Sequence, residues 1–219
     1  MEFLVNIING LSLGAMYAMI ALGYTMVYGI AKMLNFAHGD VITLGAYTVI
    51  IVSSTVLVPA LNLPVWVGFI AAVLVCGLIG VLVEKVAYKP LRGASSLAVL
   101  ITAIGVSYFL QNFFQLVFGT STRNFPSIPL FKTTWQLGGF AVNVGSLFTL
   151  LFSVIIMIGL TLFVKKTQTG RAMLAVSEDK SAAQLMGVNV NRTISITFAI
   201  GSALAAVAGF CYGYTYTAI

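Results

Sequence analysis

The polar residues with the greatest potential for chemistry in this sequence lie in one short segment. It contains Asn35, His38, Gly39 and Asp40, and His38 is the only histidine among 219 residues. Polar groups in so apolar a neighbourhood are costly unless they face water, a partner or a cavity. Gly39 permits a break in a helix, where backbone groups could meet a substrate. Two interpretations stay open: a helix break that exposes backbone groups to a substrate, and an ordinary tight turn at the cytoplasmic surface.

Three tyrosines precede that segment on one helical face. Tyr17, Tyr24 and Tyr28 follow one another at steps of seven and four residues. Tyrosines well inside a bilayer need hydrogen-bond partners, so this face is expected to point into protein or a watery path. Packing against other helices is the favoured interpretation, and lining of a substrate path is the second.

Catalytic and metal chemistry find little support. One histidine and two well-separated cysteines, Cys76 and Cys211, supply neither a nucleophile beside a base nor a metal cluster. Both cysteines fall inside apolar runs and are expected to be reduced packing residues. The pattern G-x-x-x-x-G-K-[ST], which cradles ATP phosphates, does not occur. We therefore expect no enzyme activity, cofactor or metal in this chain, and ATP and Mg would have to bind elsewhere.

The composition is that of an integral membrane protein. The chain is 60% hydrophobic and 7% charged, whereas soluble domains carry about 25% charged residues. The net charge of +6 does not indicate nucleic acid, because the basic residues flank apolar runs instead of forming a tract with interleaved aromatics.

Apolar runs predict an all-α, polytopic transmembrane helix bundle of about six spans, forming one domain over residues 1–219. Each run is long enough to contribute to a crossing of a hydrocarbon layer about 30 Å thick. The predicted spans are residues 4–33, 41–58, 65–83, 94–118, 147–164 and 193–217.

Some spans carry patterned small or polar residues. Small residues at four-residue steps let helices approach closely, and they occur as Gly10, Gly14 and Ala18 and as Gly201, Ala205, Gly209 and Gly213. The fourth span contains Ser107, Gln111, Asn112 and Gln115. Hydrogen bonding between helices is the favoured role of these polar groups, with lining of a polar path second.

One long polar passage, residues 165–192, separates the last two spans and predicts a water-exposed loop. Ser177 can cap a short helix whose first residues, Glu178 and Asp179, suit the positive end of a helix dipole. Gly187 lies where a left-handed cap would end that helix. The apolar face of this short helix, made by Ala182, Leu185 and Met186, must dock against another surface. The alternative is a connector helix that rests on the bilayer.

This polar passage resembles a segment of a known protein family. The run AAQLMG, Ala182 to Gly187, resembles the coupling loop of ATP-binding-cassette (ABC) importer permeases, whose pattern is EAA, three residues, then G. Ser181 stands where that pattern has Glu. Together with GLSLGAMYAMIALGYTMVYGIAKMLNFAHGD near the start, the chain resembles the branched-chain amino acid permeases along its whole length.

The resemblance implies functions for both groups of residues. Asn35 to Gly39 match a family signature, NFAHG, and a comparable helix break lies beside the path of related sugar permeases. The implied path residues are Tyr17, Tyr24, Tyr28, Asn35, His38 and Gly39. The implied ATPase-coupling residues are Glu178, Asp179, Ala182, Ala183, Leu185, Met186 and Gly187.

The same resemblance implies partners and a location. The partners would be ABC ATPase subunits, a second homologous permease chain, an extracytoplasmic substrate-binding protein and the lipid bilayer, with no nucleic acid. The location would be the bacterial inner membrane, and the substrate leucine, isoleucine or valine, although relatives that carry urea or amides leave the solute open. Because family members generally continue through further spans, we expect that the sequence is C-terminally truncated.

Positive charges predict the orientation. With the N-terminus outside, nine of the eleven basic residues are cytoplasmic and only Arg123 and Lys132 lie outside, as the positive-inside bias requires. The loop at 165–192 is then cytoplasmic. An ion-coupled carrier, the competing class, would need acidic groups in mid-span, and the candidates Asp40 and Glu84 are both predicted at span ends.

Overall fold

The computed structural model of this chain describes residues 2–53, 64–126, 134–137 and 140–217. Five of the helices in these ranges are long and apolar enough to cross a membrane, and a sixth apolar helix is shorter. The predicted all-α polytopic bundle is confirmed, with five such helices and one shorter helix where six spans were expected. The predicted end of the second span, at residue 58, lies outside the described residues.

The helices follow the apolar runs closely. They are α1 (Glu2–Ala31), α2 (His38–Ser53), α3 (Val65–Val83), α4 (Ser96–Phe118), α5 (Val144–Lys166), α6 (Gln168–Glu178), α7 (Lys180–Leu185) and α8 (Val190–Tyr216). A π-helix (Glu84–Tyr88) and a 3-10 helix (Lys89–Leu91) extend α3. Two short antiparallel strands precede α5: β1 (Thr134–Leu137) and β2 (Phe140–Asn143), with Trp135 opposite Val142.

Helix α8 is the centre of the bundle and packs against α1, α2 and α3. Its small residues allow this contact: a Cβ on Gly201 would lie 2.7 Å from Val27, and one on Gly45 of α2 would lie 2.7 Å from the Cα of Ala206. The predicted close-packing stripe of α8 is thus confirmed at Gly201. In the other predicted stripe, a Cβ on Gly10 or Gly14 of α1 would meet no atom of the described residues within 4 Å, so close packing there stays a prediction.

Helices α4 and α5 lie at the periphery of the bundle. Along α4 the side chains of Leu97, Ile101 and Leu116 are 64%, 61% and 86% exposed. In a membrane such side chains face lipid or a partner, because apolar surface of this size is not left in water.

Candidate functional site

The segment after α1 leaves helical geometry and folds back into the bundle. Lys32 has a positive φ of 57°, residues 32–37 are not helical, and α2 begins at His38. Within this break Asn35, Ala37 and His38 are 5%, 0% and 3% exposed. Lys32 and Phe36 of the break are exposed, so the break is buried in part, with the polar side chains of Asn35 and His38 in the interior of the protein.

His38 marks the depth of this re-entrant break. A Cβ on Gly23 of α1 would lie 2.8 Å from His38 Cε1 and 3.0 Å from the carbonyl oxygen of Gly201 in α8. Gly23 lies eight residues before the end of α1 at Ala31, which corresponds to about 12 Å along the helix axis. This depth favours a helix break inside the bundle over a surface turn, and a position of the break beside a transport path stays a prediction.

Polar and aromatic contacts hold the break in place. Tyr88 Oη, at the end of the π-helix, donates a hydrogen bond of 3.1 Å to Asn35 Oδ1. The rings of Tyr24 and His38 meet edge to face with centroids 6.1 Å apart. His38 Nε2 is buried and has no hydrogen-bond partner among the described residues. The backbone of Ile20 in α1 interacts with the same side chain, so His38 is held against α1 while Nε2 lacks a partner of good hydrogen-bond geometry, and it is a candidate contact for a polar ligand.

The other two tyrosines do not join this site. Tyr17 and Tyr28 are 57% and 49% exposed, whereas Tyr24 packs on His38. Tyr24 therefore packs inside the bundle, whereas Tyr17 and Tyr28 are exposed among the described residues, and packing of these two against other helices stays a prediction. Lining of a path by these two tyrosines stays a prediction.

A carboxylate that the sequence reasoning placed at a span end lies in the interior. Asp40 is 8% exposed, and Ser107 Oγ donates a hydrogen bond of 2.6 Å to its Oδ2. Gln111 Nε2 donates in turn to Ser107 Oγ at 3.1 Å. Asp40 lies in the first turn of α2, at a helix end as expected, but Ser107 lies halfway along α4, so this helix end is inside the bundle. The four-residue spacing of Ser107 and Gln111 was the signal that could have indicated an acidic partner.

The second acidic residue is also buried, in a structural ion pair. Glu84 is 0% exposed and forms a salt bridge with Arg92. Ser195 Oγ of α8 donates a further hydrogen bond of 2.6 Å to Glu84 Oε2. Arg92 also donates to Asn191. These contacts join the π-helix after α3 to the start of α8, which gives Glu84 a role in packing.

The polar passage between α5 and α8 forms two helices where one was predicted. Asp179 caps α7 by accepting hydrogen bonds from the backbone N–H groups of Ser181 at 2.7 Å and Ala182 at 3.0 Å. The predicted cap, Ser177, instead donates to the carbonyl of Leu174. Glu178 therefore ends α6 and does not begin the next helix, so this part of the prediction was wrong.

The end of α7 has the predicted conformation, but its apolar face is open. Gly187 has a φ of +86°, a region that favours glycine, and the predicted left-handed cap is confirmed. Ala183 is 4% exposed and packs into the protein, whereas Leu185 and Met186 are 89% and 85% exposed. Ala182 is also exposed. The predicted docking face thus has no partner among the described residues.

Helix α7 contacts the start of the re-entrant break directly. Lys180 Nζ donates a hydrogen bond of 2.9 Å to the carbonyl oxygen of Ala31, the last residue of α1. A cation at a helix C-terminus satisfies a carbonyl without an intrahelical partner and interacts favourably with the helix dipole. No sequence signal indicated this contact, because it joins residues 149 positions apart.

A cavity of about 340 Å³ lies at the opposite end of the bundle, between the ends of α1, α5 and α8. Asn9, Ser12, Asn143 and Thr215 contribute its polar lining. Among the described residues, no group of three or more His, Cys, Asp or Glu side chains is placed to hold a metal ion.

Several membrane-length helices around a buried, polar helix break define a multi-pass membrane protein. Residues 6–219 match the profile of the family described as the permease component of the branched-chain amino acid transport system. The chain belongs to this family of permeases.

Individual relatives agree with that membership. The chain is 40% identical to the high-affinity branched-chain amino acid transport system permease protein LivH of Salmonella typhimurium, over 99% of this chain and 72% of the relative. It is 38% identical to the corresponding protein BraD of Pseudomonas aeruginosa, over 100% and 73%. A probable permease of Methanocaldococcus jannaschii is 33% identical over 87% and 60%. No solved structure matches this chain. The relatives are transport permeases, which fits a protein that is not an enzyme.

Proposed function

We propose that this chain is a transmembrane subunit of an ABC importer for leucine, isoleucine or valine in a bacterial inner membrane. It forms part of the translocation path and couples that path to separate ATPase subunits, which bind ATP and Mg. A second homologous permease chain and an extracytoplasmic substrate-binding protein complete the transporter. Membership of the family and similarity to the branched-chain amino acid permeases LivH and BraD support the substrate class.

The exposed tip of α7 is the observation that carries the coupling proposal. Leu185 and Met186 are 89% and 85% exposed, although large apolar side chains side by side are expected to bury against a partner. The glycine conformation at Gly187 ends α7 abruptly and keeps this tip short. A groove on an ATPase that receives both side chains supplies the burial that this chain lacks.

The hydrogen bond from Lys180 connects the docked helix α7 with the proposed translocation path. A displacement of α7 changes the Lys180–Ala31 contact, and Ala31 is the residue at which α1 gives way to the re-entrant break. For nucleotide binding to move the permease, the ATPase must bind two permease states with unequal affinity. We assign that difference to the position of α7 relative to the end of α1.

The re-entrant break supplies the polar groups of the path. His38 Nε2 is buried without a protein partner among the described residues, and Asp40 presents a carboxylate held by Ser107. An amino acid carries an ammonium and a carboxylate, so it needs both donors and acceptors. Asn35, Tyr24 and Gly39 complete the proposed polar lining, with Tyr17 and Tyr28 on the exposed face of α1.

The first experiment removes the apolar tip. Leu185→Asp with Met186→Asp should leave the permease in the membrane, because neither side chain is buried in this chain. Co-purification of the ATPase subunits and leucine uptake should both be lost. The matched control is Leu174→Asp, since Leu174 is a 46% exposed apolar side chain on the neighbouring helix α6, outside the membrane-length helices. Wild-type ATPase retention and uptake in the tip variant would exclude α7 as the docking helix.

The energy source separates an ABC importer from an ion-coupled carrier, the class that buried Asp40 would also suit. In vesicles with trapped ATP, uptake should persist after the proton gradient is collapsed. It should stop when ATP is replaced by a non-hydrolysable analogue. Uptake that follows the gradient and ignores ATP would identify a carrier.

A further inference from the structure

A second cavity, of about 450 Å³, lies where the end of α1, the 3-10 helix, the start of α4 and α7 meet. Three cationic side chains line it: Lys32, Arg92 and Lys180. The apolar lining comes from Met33, Leu34, Leu91, Leu97, Val99 and Leu100. None of the described residues that line the cavity is acidic.

The three cations are close enough to interact unfavourably. Burial lowers the pKa of Lys180, and the nearby charges of Arg92 and Lys32 lower that pKa further. Glu84 neutralises Arg92 through their salt bridge. Lys180 donates to a backbone carbonyl, which leaves its charge uncompensated. Lys32 is held at a positive φ of 57°, a conformation uncommon for residues other than glycine. The cavity therefore has a net positive charge that an anion would balance.

The apolar wall continues from the cavity along the membrane-facing surface of α4. Leu97 lines the cavity and is 64% exposed, and Ile101, one helical turn further on, is 61% exposed. A small soluble anion would make no contact with this apolar wall, whereas the acyl chain of a lipid can lie along it. Basic pockets between transmembrane helices at a membrane surface are a recurring kind of site for anionic lipid head groups.

We propose that this cavity binds an anionic phospholipid of the surrounding bilayer. The phosphate lies between Lys32 and Lys180, and an acyl chain follows Leu97 and Ile101 along α4. The bound lipid neutralises the cationic cluster beside the Lys180–Ala31 hydrogen bond. The cavity shares Tyr28 of α1 with the residues assigned to the proposed path, but the lipid proposal does not depend on which solute that path carries.

Thermal unfolding of the purified protein in neutral detergent tests the proposal. Phosphatidylglycerol should raise the Tm by several degrees more than the same concentration of phosphatidylcholine, since a ligand that binds only the folded state stabilises it. The difference should fall to less than half in Lys32→Gln and in Lys180→Gln. Lys32→Arg should retain it. Lys166→Gln is the matched control, because Lys166 is an exposed cation at the end of α5 that does not line the cavity.

Specific outcomes would overturn the proposal. If phosphatidylglycerol raised the Tm of Lys32→Gln as much as that of the wild type, the lipid would not bind in this cavity. This variant leaves the Lys180–Ala31 contact intact, so loss of that contact cannot explain its result. Equal stabilisation by both lipids would remove the role of charge. If inorganic phosphate alone reproduced the shift, the site would bind a soluble anion and not a lipid.

Discussion

The Nζ atom of Lys180 donates a hydrogen bond of 2.9 Å to the carbonyl oxygen of Ala31. This contact joins the first residue of α7 to the last residue of α1, the point at which the chain turns back into the bundle. It links the helix with the exposed apolar tip to the break that contains Asn35 and His38. The proposed function requires such a link, since hydrolysis on a separate chain must change the shape of the path.

Loss of that hydrogen bond should uncouple transport. In Lys180→Met we expect normal amounts of membrane-inserted protein and ATPase, a several-fold fall in leucine uptake, and continued ATP hydrolysis. Lys180→Arg should restore most of the uptake, because it keeps a cationic donor. The adjacent Ser181→Ala, at an exposed position, is the control. A parallel fall of uptake and of protein in the membrane would indicate a folding role only.

Gly23 should not tolerate a methyl group. In Gly23→Ala the new Cβ would lie 2.8 Å from His38 Cε1, and overpacking of this kind typically costs about 1–3 kcal/mol. Gly10→Ala on the same helix meets no atom within 4 Å and should be neutral, or stabilising by about 0.5–1 kcal/mol. Thermal unfolding in detergent and uptake assays compare the two. Equal Tm values would show that His38 does not pack on Gly23.

Breaking the buried ion pair should lower the stability of the fold strongly, whereas replacing both of its residues by apolar ones should lower it much less. Glu84→Gln leaves Arg92 without its counter-charge, which should cost about 3 kcal/mol, or a Tm lower by roughly 6–12 °C. The double variant Glu84→Met with Arg92→Met should recover much of this loss, because apolar residues can replace a buried pair. A single variant as stable as the wild type would mean that Glu84 is not charged in the fold.

Asp40 should affect substrate affinity more than stability. Asp40→Asn keeps an oxygen that can accept from Ser107, but it removes the charge that attracts an ammonium. We expect KM for leucine uptake to rise about tenfold, equivalent to ~1.4 kcal/mol, with little change in Tm. Asn112→Ala, at an exposed polar position of α4, is the control. An unchanged KM with a lower Tm would make Asp40 a packing residue.

Helix positions could be predicted wherever the apolar runs have clear local ends. The bounds of α3 match the predicted span, residues 65–83, because Pro64 precedes the run and Glu84 and Lys85 follow it. The burial of Glu84 could not be predicted, because its partners Arg92 and Ser195 become neighbours only in the folded bundle.

Prediction of the polar site had the same limit, because contacts between residues remote in sequence could not be predicted. Its residues stand out in an apolar sequence, but the choice between a surface turn and an internal break depends on contacts with Gly23 and Gly201, which are remote in sequence. The cap of α7 illustrates a local ambiguity. Ser177 and Asp179 are both good caps, and the folded chain uses Asp179.

Labelling of a cysteine at residue 182 tests the central claim, that α7 faces the cell interior and docks on a separate ATPase. Ala182 is exposed beside the apolar tip, whereas Cys76 and Cys211 are buried, so the native chain is the unlabelled control. In Ala182→Cys, a membrane-impermeant maleimide should react in inside-out vesicles only, and bound ATPase subunits should block the reaction. Labelling in right-side-out vesicles, or labelling that the ATPase does not block, would contradict the account.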